Sequence, residues 1–299
     1  MNRTSVSLAA ALAEVGTDID RAFDRLLPIP ADARGRLYEA MRYAAIGGGK
    51  RIRPLLVIAG CDLFRVGRDR AVRAALAVEC IHVYSLIHDD LPCMDDDDLR
   101  RGKPTLHRAF DECTAILAGD SLHALAFEVL ADEATHEDPF VRAELALELA
   151  RASGPCGMAG GQMMDLSAGG MALDLAAVTR LQQLKTGALI GWCLEAAAIM
   201  GRAPPEGRPG LRGYARDLGL AFQIADDLLD REGSEARTGK RVGKDHDAGK
   251  ETFVSLLGLE RARRQAEALV DQAIDHLRAF GDEADLLRAV ARFAVERDH

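Results

Sequence analysis

The sequence predicts an all-helical fold, and three observations carry that prediction. Apolar residues recur at helical spacing along most of the 299 positions. Ala and Leu are abundant while aromatic residues make up only 5%, a balance that favours helix over sheet. No run of alternating β-branched residues is long enough to argue for a sheet. The expected architecture is one large helical bundle, residues 1–299 forming a single domain around a hydrophobic cavity.

Each element follows from local punctuation. Leu8 to Leu27 reads as an amphipathic first helix, ended by Pro28 and Pro30. Arg36 to Ile46 is the second, and it stops at Gly47, Gly48 and Gly49, residues suited to a strained backbone. Pro54 opens a third helix, Leu55 to Phe64. Ala71 to Asp90 is a long apolar helix, broken by Pro92. Helices follow at Glu112 to Asp132, Pro139 to Gly154, Ala176 to Met200 and Gly210 to Arg231, with three more between Phe253 and Arg297. Leu91 to Phe110, Pro204 to Pro209 and Glu232 to Lys250 read as irregular.

The formal net charge is -9. A uniformly acidic surface repels nucleic acid and anionic membranes, and it also repels an anionic substrate unless metal ions or local cations reverse the field. Six cysteines, none in a C-x-x-C pair, read as reduced and mostly buried thiols. The N-terminus lacks the pattern of a signal peptide. No apolar run approaches the roughly 20 residues of a membrane span. The expectation is a soluble, cytoplasmic protein with no nucleic-acid partner.

Two aspartate segments carry the chemistry. In the first, His82, Ser85 and Asp89 share a helix face. Asp89 and Asp90 close that helix at its electronegative end, where carboxylates are costly without a cation. Pro92 lets Asp95 fold back towards Asp89. In the second, Asp226 and Asp230 lie one turn apart, with Gln223 one turn earlier. A single acidic run such as Asp95 to Asp98 is ordinarily a solvated loop. Two separated clusters on apolar helices, both made of hard oxygen donors, suit Mg²⁺ shared with substrate phosphates. Basic groups complete the picture: Lys50 and Arg53 after the triple glycine, Arg100 and Arg101 after the first aspartates, Lys185-Thr186-Gly187, and Lys240 and Lys250. Such cations bind phosphate oxygens. No nucleotide P-loop, Ser-His-Asp triad or cysteine nucleophile is present, which favours positioning and electrostatics over covalent catalysis.

From about Tyr38 to Arg264 the chain resembles the trans-isoprenyl diphosphate synthases, the head-to-tail prenyltransferases, and most closely their bacterial farnesyl diphosphate branch. The motifs are G-G-G-K-R-I-R-P, then E-C-I-H-V-Y-S-L-I-H-D-D-L-P-C-M-D-D-D-D-L-R-R-G-K-P-T, then K-T-G and G-L-A-F-Q-I-A-D-D-L-L-D. The resemblance implies the isoprenoid-synthase helical bundle working as a homodimer. It implies Mg²⁺ on Asp89, Asp95, Asp226 and Asp230. It assigns isopentenyl diphosphate to Lys50, Arg53, His82 and Arg101. Arg100, Lys185, Thr186, Gln223, Lys240 and Lys250 would surround the allylic diphosphate, with the oxygens of Thr186 and Gln223 stabilising the allyl cation. The reaction would proceed by ionisation, condensation and elimination. One residue departs from the pattern: Val254 stands where related chains carry a proline after Lys250, which puts the shape of that loop in question.

Tyr84 lies five residues before Asp89, about 7–8 Å down a helix axis. With Ser85 beside it and Pro92-Cys93 inserted between the aspartates, the resemblance implies a farnesyl product, Tyr84 flooring the chain cavity. Cys93-Met94 resembles geranylgeranyl synthases, so that product stays open. A class I terpene cyclase is disfavoured, because it needs no second diphosphate site and carries a different second metal motif.

Overall fold

The computed structural model describes residues 7–168, 171–232 and 251–296. The chain divides into two compact units, Met1–Ile58 with Val66–Ala146, and Ala59–Arg65 with Leu147–His299. Lys240 and Lys250 lie outside the described residues.

In the first unit α1 (Leu8–Leu26) starts where the Ser7 side chain accepts the Ala10 N–H, satisfying a donor that the first helical turn leaves open. Val15, Ile19 and Phe23 fall on one stripe, and all three are buried. Helix α2 (Gly35–Ala45) and the start of α3 (Ile52–Leu63) follow. The long helix α4 (Arg68–Asp89) packs along α6 (Glu112–Ala131). Small residues, among them Ala74, Ala75, Ala77, Ala115, Ala118 and Gly119, are buried on these helices. The Asp111 carboxylate caps α6 through the Thr114 N–H at 2.7 Å. By length and composition α4 and α6 both pass as membrane spans, which corrects the sequence expectation that no stretch reaches that length. In α4 most charges sit near the ends, as Arg68, Asp69, Arg70, Arg73 and Asp89 do, and α6 carries only Glu112, Asp120 and Glu128, so an apolar stretch survives in each. In α4 that surface is largely spent inside the protein, with 61% of its apolar window buried, against 44% in α6.

The expected irregular stretch 91–110 contains a small antiparallel ladder, β1 (Leu99–Arg100) with β2 (Lys103–Pro104), and the short helix α5 (Leu106–Ala109). Positive φ at Arg101 (54°) and Gly102 (75°) makes the tight turn between the strands, the geometry that two-residue hairpins favour.

The second unit takes over α7 (Pro139–Ser153) from Leu147, and α8 (Met158–Ser167), which the sequence reading missed, follows. Two glycines inside it, Gly160 and Gly161, weaken its propensity signal. The single helix expected over 176–200 is α9 (Leu175–Gln182), one π turn (Gln183–Gly187) and α10 (Ala188–Met200). Helix α11 (Arg208–Glu232) packs on α10 and on α13 (Leu259–His276). Within it Tyr214 is fully buried and donates its hydroxyl to the Leu287 carbonyl at 2.8 Å. Helix α14 (Asp285–Glu296) closes the described chain.

Helix α12 (Phe253–Leu257) opens on a capping box between Thr252 and Ser255. Val254 therefore sits in a first helical turn, where a proline is equally tolerated. Three cysteines are buried, Cys61, Cys80 and Cys193, while Cys93, Cys113 and Cys156 are exposed; all six are free thiols. The expectation of mostly buried cysteines fails for the exposed three because they stand in a loop, on an outer helix turn and in a turn before α8.

Candidate active site

The first unit assembles the cations after the triple glycine. Gly49 has φ +88°, and a Cβ built on it would stand 2.7 Å from Arg101 Nη1 and 3.0 Å from its Cζ. Only glycine lets the Arg101 guanidinium lie against this loop. Arg51 also takes a positive φ, 52°. Its side chain is buried and Lys50 is exposed. Arg53 stands in the first turn of α3, and its Nε is buried with no hydrogen-bond partner. An orphaned buried donor is costly, and a phosphate oxygen is the acceptor that suits it.

His82, on α4, shares this environment. Its imidazole is held well below its ordinary value, first by burial and then by the charges of Arg53, Arg101, Arg100 and Arg51. It is therefore neutral at pH 7, able to donate one hydrogen bond without repelling its cationic neighbours. The consequence for stability has a definite sign. The unfolded chain takes up a proton near pH 6.5 that the folded state refuses. Folding is then weakened as pH falls below that value, by up to about 1.4 kcal/mol per pH unit. His82→Asn removes this liability. Denaturant unfolding should show the wild type losing more stability than the variant between about pH 7 and about pH 5; parallel pH profiles would refute the assignment.

The first aspartate segment folds back as its sequence predicts. The Asp95 N–H donates to the Asp89 carbonyl at 2.8 Å, and the Met94 N–H to that of Leu91 at 2.9 Å. Asp89 is part-exposed and Asp95 exposed, whereas Asp90 is 3% exposed. Arg100 meets Asp90 in a fork, Nε donating to Oδ1 at 2.7 Å and to Oδ2 at 2.9 Å, with Nη2 also on Oδ1. The Thr105 hydroxyl braces the loop by donating to the Asp97 carbonyl at 2.8 Å. Arg100, predicted as a phosphate ligand, is thus aligned by a buried carboxylate that the sequence reading left unassigned.

Tyr84 is half-buried, its ring edge-on to His88 at 5.7 Å and to His123 at 5.0 Å. His123 in turn stacks edge-on with Phe127 at 5.2 Å. His123 reads in the sequence as an ordinary helix residue, and the structure makes it part of the wall that fixes Tyr84. Ser85 turns its hydroxyl back to the His82 carbonyl at 2.9 Å.

In the second unit the π turn carries Lys185 and Thr186. Such turns are uncommon and often mark functional sites. Lys185 Nζ pairs with Asp165 Oδ2 at 2.7 Å. A Cβ on Gly161 would stand 2.2 Å from the Lys185 nitrogen, so α8 reaches the π turn only through that glycine. Asp165 escaped the sequence reading; its available signal was Gln162-x-x-Asp165 after a glycine pair. Thr186 Oγ1 donates to Gln223 Oε1 at 3.4 Å, and Gln223 Nε2 to Asp227 Oδ1 at 3.1 Å. Asp227 is buried and also accepts the Phe253 N–H at 2.9 Å. Asp226 is exposed and Asp230 part-exposed one turn later on α11. The structure thus brings Lys185, Thr186 and Gln223 onto neighbouring elements of one unit and leaves Asp226 and Asp230 accessible.

The donors present suit a hard divalent cation. Among the described residues no three His, Cys, Asp or Glu side chains form an all-protein cage. Asp89 with Asp95, and Asp226 with Asp230, are hard oxygen donors of the kind Mg²⁺ takes one or two at a time, completing its shell with water and substrate phosphates.

The family model described as polyprenyl synthetase matches residues 34–292. The chain is 47% identical over 270 residues to the farnesyl diphosphate synthase of Escherichia coli (strain K12), covering 87% of this chain and 89% of that one. It is 46% identical over 276 residues to the chloroplastic geranylgeranyl pyrophosphate synthase 11 of Arabidopsis thaliana, covering 90% of this chain and 77% of that one. The solved apo structure of an FPP/GFPP synthase from Zymomonas mobilis superposes with a TM-score of 0.89 at 61% identity, covering 96% of this chain and 98% of that one.

Proposed function

The chain belongs to the polyprenyl synthetase family and is a prenyltransferase that elongates prenyl chains head to tail; from that premise we propose that it condenses isopentenyl diphosphate with dimethylallyl or geranyl diphosphate to make farnesyl diphosphate. Lys50, Arg53, His82 and Arg101 hold the diphosphate of isopentenyl diphosphate. The unpartnered Nε of Arg53 beside a neutral His82 supports this reading most strongly. Arg100, Lys185, Thr186 and Gln223 surround the allylic diphosphate, with Lys240 and Lys250 as further ligands outside the described residues.

Asp89 and Asp95 on the one hand, and Asp226 and Asp230 on the other, would hold Mg²⁺, which would supply positive charge to the leaving diphosphate. The protein's own groups do the rest. Arg100, aligned by Asp90, and Lys185, aligned by Asp165, neutralise the diphosphate as the allylic C–O bond breaks. The oxygens of Thr186 and Gln223 face the allyl cation. The isopentenyl double bond forms the new C–C bond, and the proton lost in elimination goes to the departing diphosphate.

We read the enzyme as a cytoplasmic homodimer and the two units as one catalytic domain. The family match runs across both units. Phe140 is 83% exposed and Leu117 55%, apolar surface of the kind an interface covers.

Incubation with Mg²⁺, isopentenyl diphosphate and geranyl diphosphate, followed by product chromatography, is expected to yield farnesyl diphosphate. No diphosphate release would reject the reading. Longer products form a second reading, favoured by the geranylgeranyl and FPP/GFPP relatives. Tyr84→Ala tests the floor: the product distribution should move to longer prenyl chains, and an unchanged distribution would remove Tyr84 from that role.

A further inference from the structure

We propose that Asp20, on α1, is a positioning residue for the isopentenyl diphosphate site, acting through Arg51 on the glycine loop that carries Lys50 and receives Arg101. The inference rests on the assignment of Lys50, Arg53 and Arg101 to that diphosphate. Helix α1 precedes residue 34, where the family match begins, so the match does not extend to it.

The geometry is a buried junction. Arg51 is 5% exposed and stands in the left-handed region at φ 52°, a conformation that a non-glycine residue keeps only when its surroundings hold it. Three bonds hold it. Nη1 donates to Glu79 Oε1 at 2.6 Å, and Nη2 donates to Asp20 Oδ1 at 2.7 Å and to the Ala45 carbonyl at 2.6 Å. Asp20 does one thing more: its Oδ2 accepts the Gly47 N–H at 3.2 Å. One carboxylate therefore ties the guanidinium and the backbone at the start of the glycine loop to the same point. That point is itself fixed, because Val15, Ile19 and Phe23 anchor α1 in the core.

The two carboxylates divide the work. Glu79 is 2% exposed on α4 and neutralises Arg51 within the core. Asp20 is 34% exposed at its side chain and can be changed without leaving Arg51 an unpaired buried charge. Its loss frees Gly47 and lets the loop over residues 47–49 move relative to Arg101, whose guanidinium rests on Gly48 and Gly49. Misplacing phosphate donors weakens binding of the substrate they grip far more than binding of the other substrate.

Steady-state kinetics of the full chain tests this. Asp20→Ala should raise the KM for isopentenyl diphosphate about tenfold, and Asp20→Asn, which keeps an acceptor for Gly47, about threefold, with kcat and the KM for geranyl diphosphate within about twofold of wild type. Thermal melting confirms that the variants fold, and Asp20→Asn carries the test if Asp20→Ala does not. An unchanged isopentenyl KM, or an equal rise in both KM values, overturns the proposal. Lys50→Ala and Arg101→Ala are measured alongside. If they raise the isopentenyl KM and Asp20→Ala does not, the role of Asp20 is wrong. If they leave it unchanged, the diphosphate assignment falls and this inference with it.

Discussion

Asp89→Ala should lower kcat by about 10³-fold, the scale on which losing a group that stabilises transition-state charge is felt, while the protein stays folded. The fold survives because the turn that brings Asp95 back uses the Asp89 carbonyl, a backbone atom that alanine retains. The side chain is what changes. It stands at the end of α4, where the helix dipole disfavours a carboxylate, so removing it relieves that repulsion and removes a Mg²⁺ ligand from the proposed site. Steady-state rates over a Mg²⁺ titration check this, with melting temperature as a control. A kcat within tenfold of wild type at saturating Mg²⁺ would remove Asp89 from the metal site.

Arg100→Met should destabilise the fold by about 3–5 kcal/mol at neutral pH, the usual consequence of leaving a buried charge without its partner. The charge is Asp90, 3% exposed and gripped by Arg100. Burial already holds the Asp90 carboxyl above its ordinary value, with Arg100 opposing that rise. Without the guanidinium the value climbs further. A carboxyl whose folded pKa exceeds its unfolded one binds protons more readily when folded, so stability falls as pH rises from about 3.8 towards the folded value. The deficit of Arg100→Met is therefore largest near pH 7 and shrinks on acidification towards pH 4. Urea unfolding at the two pH values measures it. Asp90→Leu combined with Arg100→Met should recover most of the stability, since an apolar pair removes the buried charge. A loss below about 1 kcal/mol, or one independent of pH, would show the pair to be marginal.

Much of this is legible in the sequence. The periodicity that predicts the long helix ending at Asp90 is realised as α4, and Pro92 does return Asp95 to Asp89. The one helix expected over 176–200 hides a π turn under Lys185 and Thr186, because widening a single turn leaves the apolar pattern on either side intact. Helix α8 was not legible, since its glycines and methionines carry neither strong propensity nor a clear stripe. With it went Asp165, which aligns Lys185.

The aspartates show where the boundary lies. By itself the sequence determined that two carboxylate segments stand on apolar helices, that cations flank them, and that Tyr84 lies one and a half turns from Asp89, because these are matters of spacing along a helix. Only the tertiary structure decided which aspartate of each pair is left accessible. Neighbours on a helix diverge by about 100°, so one of two adjacent carboxylates turns inward, and packing selects which. Asp90 goes in to hold Arg100, and Asp227 goes in to hold Gln223 and the start of α12, leaving Asp89 and Asp226 more exposed. The same holds for Arg51, set among cations that read alike. Its burial on Asp20 and Glu79, contributed by α1 and α4, separates it from Lys50 and Arg53, and such partners come from positions that no local pattern connects.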